Sequence, residues 1–276
     1  MLKEAYHIAV PTAFFEDESL NFEATIAHIK HLYKKGVKSV FVSGTTGEQH
    51  SLYLKEKLDL IDRLEAEEEL INNMEIIFGV SSTRQKEAEE LAEKISDTRI
   101  SGIMIGYPPY IIPTQEEALN YTKAIIQMSN KPTILYNNPK RTGFDLSVES
   151  VVKLSAIDLV IGIKEAGKIQ KVEQLKKEIH RSDFHYYAGG EVGLEERINI
   201  GFDRLSAIAG NVAPVEINNW FQKLLHKEPI SKQEINNIDT IMEEVYQGNA
   251  IVNVKRNIHQ NGIPLGTCRS PIGTIS

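Results

Sequence analysis

The chain alternates short apolar runs with longer stretches of helical period. Runs rich in Ile, Val, Phe and Tyr and bounded by turn residues predict eight strands. Between them, apolar residues spaced three and four apart predict amphipathic helices, for example over residues 21–36, 84–96 and 168–180. The predicted strands cover residues 6–12, 38–44, 75–81, 101–107, 132–138, 159–166, 184–190 and 204–210.

A repeated β then α unit is compatible with a closed parallel barrel or with an open doubly wound sheet. The open sheet usually has a glycine-rich turn after its first strand, but here that turn reads PTAFFEDES and contains no glycine. Nothing between the elements is rich enough in Pro, Gly and Ser to be an interdomain linker. We therefore predict an α/β fold, a (β/α)8 TIM barrel over residues 1–213, with additional C-terminal helices over residues 214–276 packed on it as a single structural unit.

Composition narrows the class of protein. The chain has 276 residues, of which 41% are hydrophobic and 25% charged, and no apolar run approaches the roughly 20 residues of a membrane span. A net charge of −7 without a dominant Lys/Arg cluster argues against nucleic acid as a partner. The start, MLKEAYHIAV, is too charged for a signal peptide, so we expect a cytoplasmic protein that binds no membrane.

No cofactor and no metal are expected. Cys268 is the only cysteine, which excludes an intramolecular disulfide and argues against a thiolate metal cluster. His28 and His31 share a helix face, but no third ligand follows at a metal-like spacing. The GGEVG segment at residues 189–193 is too short and misplaced for a dinucleotide fingerprint, and no phosphate-binding loop motif occurs.

Most of the residues that could take part in catalysis or binding come directly after a predicted strand. In a βα barrel the carboxyl ends of all strands meet on one face, so these segments should surround a single pocket. They are GTTGE (44–48), SSTR (81–84), YPPY (107–110), YNNPKRTG (136–143), KEAG (164–167), GGE (189–191) and GNVAP (210–214).

Lys164 interrupts an apolar run, in which strand alternation places Ile161 and Ile163 on the face opposite the lysine. A lysine in a dry site must be paired or lose its proton. Lowering its pKa from about 10.4 to about 7.5 takes about 4 kcal/mol, and the neutral amine can then attack a ketone and form a Schiff base. The alternative is a structural ion pair with Glu165 or another carboxylate.

Three hydroxyls could assist such a lysine. Tyr136, at the end of the adjacent fifth strand, can donate and accept a proton, although it could also be only an aromatic plug. Thr45 and Thr46 of GTTGE, together with the loop N–H groups, suit a carboxylate. The alternative for GTTGE is a plain turn from strand to helix.

The motifs VPTAF, GTTGE, YPPY, YNNPKRTG, GIKEA and GNVAP, in this order, resemble the dihydrodipicolinate synthase and N-acetylneuraminate lyase family. The resemblance covers roughly residues 5 to 215. Members of that family are barrel aldolases that form a lysine Schiff base with pyruvate. The resemblance therefore implies pyruvate and a small aldehyde as substrates.

The same resemblance implies four catalytic residues. Lys164 would form the imine, Tyr136 would relay protons, and Thr45 would bridge Tyr136 to a second tyrosine. Tyr110 matches that second tyrosine, which in the family reaches into the site of the neighbouring subunit. We therefore expect a homotetramer, built as a dimer of dimers.

Substrate binding is assigned by resemblance as well. Thr46 would hold the carboxylate of pyruvate, and Gly189 and Ser206 would line the substrate site. The RTG that contains Arg141 is similar to the dihydrodipicolinate synthase branch, in which this arginine meets the carboxylate of aspartate semialdehyde. The alternative is a surface salt bridge between Arg141 and Glu191 or Asp145.

Some positions depart from the synthase pattern. Gln49 stands where synthases usually have a small residue, and Thr83 where members inhibited by lysine tend to have asparagine. These departures argue against feedback inhibition by lysine and leave the identity of the aldehyde substrate open. The expected function is the condensation of pyruvate with aspartate semialdehyde. Its alternatives are an aldolase for a 2-keto-3-deoxy sugar acid or sialic acid and a non-catalytic sensor barrel.

Overall fold

The structure, a computed structural model, describes residues 2–273 and contains a closed barrel of eight parallel strands in chain order. Each strand pairs with its neighbours along the chain, and the last strand pairs with the first. The predicted (β/α)8 barrel with additional C-terminal helices is confirmed. The strands are β1 (Tyr6–Ala9), β2 (Ser39–Val42), β3 (Glu75–Val80), β4 (Gly102–Gly106), β5 (Thr133–Asn137), β6 (Val160–Glu165), β7 (His185–Gly189) and β8 (Arg204–Ala207).

Helices surround the barrel and bury their apolar faces against its outer surface. No helix within residues 2–273 is long and apolar enough to cross a membrane. The helices are α1 (Phe22–Lys34), α2 (Leu54–Glu65), α3 (Glu68–Asn73), α4 (Gln85–Ser96), α5 (Gln115–Ser129), α6 (Pro139–Thr142), α7 (Val148–Ser155), α8 (Lys171–Glu178), α9 (Leu194–Ile200), α10 (Pro214–His226), α11 (Lys232–Tyr246) and α12 (Ala250–Gln260).

The strand that carries Lys164 contains a bulge. Thr133 of β5 pairs with Val160 of β6, but Ile134 already pairs with Gly162, so Ile161 is an extra residue on β6. As a result Ile161 packs inside the barrel, in an interior cluster separate from the outer core that contains Val160. The strict alternation predicted for this strand is therefore wrong, because the extra residue changes which side chains face inward.

The C-terminal helices contact the barrel both at a strand and at a loop after a strand. Tyr6, the first residue of β1, donates a hydrogen bond from Oη to the carbonyl oxygen of Pro214 at the start of α10, at 3.2 Å. Lys255 on α12 forms a buried ion pair with Glu48 of GTTGE, at 2.6 Å. These contacts place the end of the chain beside the candidate site, while the boundary at residue 213 stays a prediction.

Candidate active site

Lys164 lies near the carboxyl end of β6, inside the barrel, and its side chain is only 6% exposed. Its Nζ donates to Ser206 Oγ at 2.8 Å. The same nitrogen lies 4.7 Å from the ring centre of Tyr136 and 5.3 Å from that of Phe41. Glu165 points elsewhere and accepts hydrogen bonds from Asn137, so the structural ion pair between Lys164 and Glu165 does not form.

The surroundings of Lys164 shift its protonation equilibrium toward the neutral amine. Burial lowers its pKa below the ordinary 10.5, because the charged form loses hydration. Tyr136 and Glu191 oppose this effect, whereas the nearby charge of Arg141 adds to it. The net direction is downward, which increases the fraction of amine able to attack a carbonyl carbon.

Tyr136 is the nearest proton carrier. Burial raises its pKa, but Lys164, a hydrogen bond from Asn138, the Thr45 hydroxyl and Arg141 together bring it below 10.0. Asn138 Nδ2 donates to Tyr136 Oη at 2.7 Å, so the hydrogen of the tyrosine hydroxyl is free for another acceptor. Sequence reasoning missed Asn138, although it is the second asparagine of YNNPKRTG.

Gly189 and Ser206 lie beside the lysine on the two strands after β6. A Cβ atom at Gly189 would stand 3.3 Å from Lys164 Cε, so the missing side chain leaves room for the lysine. Ser206 holds the amine through the hydrogen bond from Nζ to its Oγ. The structure therefore brings both predicted residues into contact with Lys164.

A buried carboxylate follows β7, and its role was not recognised in the sequence. Glu191 accepts hydrogen bonds from the backbone N–H groups of Ile208 and Gly210, at 2.9 and 3.3 Å, and from the hydroxyl of Tyr246. Burial raises the pKa of its carboxyl group. Glu191 therefore fastens the loops after β7 and β8 to α11, at the same end of the barrel as Lys164.

The GTTGE loop turns sharply at the end of β2. Ser43 has a left-handed backbone with φ of 54°, and a Cβ atom at Gly79 of β3 would come within 2.0 Å of the Ser43 carbonyl oxygen. Only glycine fits there. The turn places Thr45 on the wall of a cavity above β2 to β5, whereas the neighbouring Thr46 is buried and does not line it.

The cavity above β2 to β5 has a volume of about 350 Å³. Arg141, on the short helix α6, lines this cavity from its rim. Neither carboxylate considered as its salt-bridge partner is available, because Asp145 pairs with Lys171 and Glu191 bonds to Tyr246. The polar groups on the cavity wall include Thr45, Gln49, His50, Tyr136, Asn138 and Arg141.

Tyr110 is a predicted site residue whose side chain lies outside the cavity of its own chain. Its side chain is 96% exposed, and the cavity wall is formed instead by Pro109. Tyr110 also has φ of 71°, a strained conformation for a residue with a side chain, and it is followed by the exposed Ile111 and Ile112. This segment presents an apolar surface next to the cavity mouth.

The arrangement combines a buried amine of lowered pKa, a tyrosine able to give a proton, and a cavity with donors at its rim. A family model described as the dihydrodipicolinate synthetase family matches residues 4–276. The chain belongs to this family, which confirms the resemblance identified in its motifs.

Known proteins of similar sequence or structure align with nearly the whole chain. The 4-hydroxy-tetrahydrodipicolinate synthase of Oceanobacillus iheyensis is 27% identical over 266 residues, which are 96% of this chain and 89% of the relative. The dihydrodipicolinate synthase of Acinetobacter baumannii, solved with pyruvate, is 25% identical with a TM-score of 0.87, covering 99% of this chain and 93% of that one. The structure of the 4-hydroxy-tetrahydrodipicolinate synthase of Methylacidiphilum fumariolicum is 22% identical with a TM-score of 0.89. The match covers 100% of this chain and 91% of that one, and it shows that the two share a fold.

Proposed function

We propose that this protein is a class I aldolase that condenses pyruvate with aspartate semialdehyde, as a 4-hydroxy-tetrahydrodipicolinate synthase does. The observation that carries the proposal is Lys164, a buried amine of lowered pKa held between Ser206 and the ring of Tyr136. Family membership and the names of the curated relatives support the same reaction.

The neutral amine of Lys164 attacks the ketone carbon of pyruvate and forms a carbinolamine. Tyr136 donates its proton to the carbinolamine hydroxyl, which leaves as water, and the C=N bond of the protonated imine forms. The Tyr136 phenolate then takes a proton from the methyl group and gives an enamine, whose terminal carbon attacks the aldehyde carbon and forms the new C–C bond, while Tyr136 returns the proton to the aldehyde oxygen. Water adds to the imine carbon of the adduct and gives its proton to Tyr136, and collapse of this carbinolamine breaks the C–N bond, releases the product as a ketone and restores the amine of Lys164.

The remaining predicted residues have binding roles in this proposal. We assign the carboxylate of pyruvate to Thr46 and the N–H groups of its loop, which requires the buried Thr46 hydroxyl to face Lys164 and not the cavity of about 350 Å³. Gly189 and Ser206 form the wall behind the imine. Arg141 binds the carboxylate of the aldehyde, because a guanidinium fork matches two carboxylate oxygens.

The proposal includes a homotetramer. Thr45 links Tyr136 to Tyr110 of a neighbouring subunit, which fits the exposure of Tyr110 beside the cavity mouth. The proposed reaction belongs to the biosynthesis of lysine and diaminopimelate. A cytoplasmic location stays a prediction.

The test is reductive trapping of the imine. Incubation with pyruvate and borohydride, followed by peptide mass measurement, should place one reduced pyruvate on Lys164 and inactivate the protein. The Lys164→Ala variant and a reaction without pyruvate are the controls. Because the pKa of Lys164 lies below 10.5, the trapping rate should rise with pH and level off before that value. A label on another lysine, or no label, would overturn the proposal.

A further inference from the structure

Lys57 on α2 is a buried lysine that the proposed reaction does not use. It is 5% exposed, and its Nζ donates to Gln49 Oε1 at 3.1 Å and to the Ser81 carbonyl oxygen at 3.2 Å. Burial lowers its pKa to about 8, against the opposing charge of Glu87, so the ammonium form predominates at pH 7. No carboxylate forms an ion pair with Lys57 within residues 2–273.

This lysine sets the orientation of the Gln49 amide. An ammonium has only donors, so the amide oxygen must face Lys57 and the amide nitrogen is turned away from it. Gln49 stands in the wall between the cavity of about 350 Å³ and a neighbouring one of about 140 Å³, and of these two Lys57 lines only the smaller. No acceptor in the described part of the chain binds the amide N–H groups, so they are available to a ligand in the larger cavity, which Gln49 also lines.

Two cations lie near the same end of the large cavity. Burial lowers the pKa of His50, the buried Glu48 charge opposes this effect, and the charges of Arg141 and Lys57 add to it, so both cations act on this residue of the cavity wall. No aspartate or glutamate within residues 2–273 lines the large cavity. A ligand group that enters here meets donors and positive charge.

We propose that Gln49 is a specificity residue, positioned by Lys57, whose amide N–H groups and the Arg141 guanidinium together select an aldehyde that carries a carboxylate. This inference rests on the proposed function and deepens it, because it assigns the acid group of the second substrate to a donor pair. Synthases usually have a small residue at the position of Gln49, and the inference explains the glutamine by a function in substrate choice.

The sharpest variant is Gln49→Glu. One carboxylate oxygen of the new side chain still accepts from Lys57, but the N–H donors are replaced by a second, negatively charged oxygen of the same size. The probes are aspartate semialdehyde and its methyl ester, which lacks the negative charge of the acid group and carries one additional methyl group. We expect the preference of kcat/KM for the acid over the ester to fall at least about tenfold, mostly through KM, as for the loss of a hydrogen bond to a charged group.

Lys57→Met tests the positioning role. Without the ammonium the Gln49 amide can flip and exchange the positions of its oxygen and nitrogen. KM for the acid should therefore rise about threefold or more while kcat is retained, and Lys57→Arg should bring KM part of the way back. Lys55→Met is the matched control, since Lys55 lies on the same helix but is exposed and paired with Asp59. It should behave as the wild type.

The outcomes separate the two proposals. If pyruvate and borohydride fail to label Lys164 in the wild type, the proposed function is overturned and this inference with it. If the wild type is labelled but Gln49→Glu keeps the preference for acid over ester, only the inference is overturned. A loss of kcat with unchanged KM in Lys57→Met would also overturn it, because that pattern indicates a structural lysine.

Discussion

Replacing Lys255 by methionine tests how the end of the chain is held to the GTTGE loop. Lys255 and Glu48 are both completely buried, and the Nζ of Lys255 donates to Glu48 Oε1 at 2.6 Å and to the Thr267 carbonyl oxygen at 2.9 Å. The second carboxylate oxygen of Glu48 accepts from the backbone N–H of Arg269 at 2.9 Å. The pair thus joins the loop of Thr45 to α12 and to the segment after this helix.

The expected cost follows from this geometry. Lys255→Met leaves the charge of Glu48 buried with a single N–H donor, and breaking a buried pair in this way costs about 3–5 kcal/mol. At about 2 °C per kcal/mol for a chain of this size, the melting temperature should fall by about 6–10 °C. The methionine itself should pack well, because Lys255 lies against the ring of Phe14.

The assays are urea unfolding and thermal unfolding, both followed by circular dichroism at one fixed protein concentration because assembly adds to apparent stability. The double variant Glu48→Gln with Lys255→Met removes both charges and should recover more than half of the lost free energy of unfolding. Lys55→Met, which breaks an exposed pair, should cost less than about 1 kcal/mol. If Lys255→Met costs no more than this control, or if the double variant is less stable than Lys255→Met, the reasoning is refuted.

Three further predictions concern the site. Tyr136→Phe should lower turnover by roughly 10²- to 10⁴-fold, as expected for a lost acid–base group, and unchanged turnover would leave Tyr136 only a packing role. Arg141→Lys keeps the charge but loses the bidentate fork, so KM for aspartate semialdehyde should rise while trapping of pyruvate persists; indifferent kinetics would contradict the synthase assignment. Mixing inactive Lys164→Ala with inactive Tyr110→Phe chains should restore some activity, whereas full activity from a monomeric sample would contradict a tyrosine acting between subunits.

The order of strands and helices could be predicted because the signals are local. The strand predicted at residues 159–166 is β6, Val160–Glu165, and the helix predicted at residues 84–96 is α4, Gln85–Ser96. Apolar spacing and turn residues act over a few neighbours along the chain, so they are readable in one sequence. The bulge at Ile161 could not be predicted from the sequence, because a bulge is defined by the pairing with the partner strand.

The site was predictable in its residue types and incomplete in its contacts. The position of Lys164 and Tyr136 at the ends of neighbouring strands follows from the barrel itself, since parallel strands in register bring their carboxyl ends together. The hydrogen bond from Asn138 to Tyr136, and the burial of Glu191 against Tyr246, depend on how loops and helices pack over that face. Motif spacing carries no information about such packing.

Local patterns in the sequence predicted the barrel, the face on which the candidate site lies and a lysine at that face, because these depend on periodicity and on the residues at the end of each strand. Which distant groups share the buried space depends on the folded chain: Ser206 contacts Lys164, 42 residues away, and Lys255 contacts Glu48, 207 residues away. Such contacts exist only once the barrel has closed and the last helices have packed on it. Water is then excluded, and the pKa of Lys164 and the orientation of the Gln49 amide result from that exclusion and from the neighbours that remain.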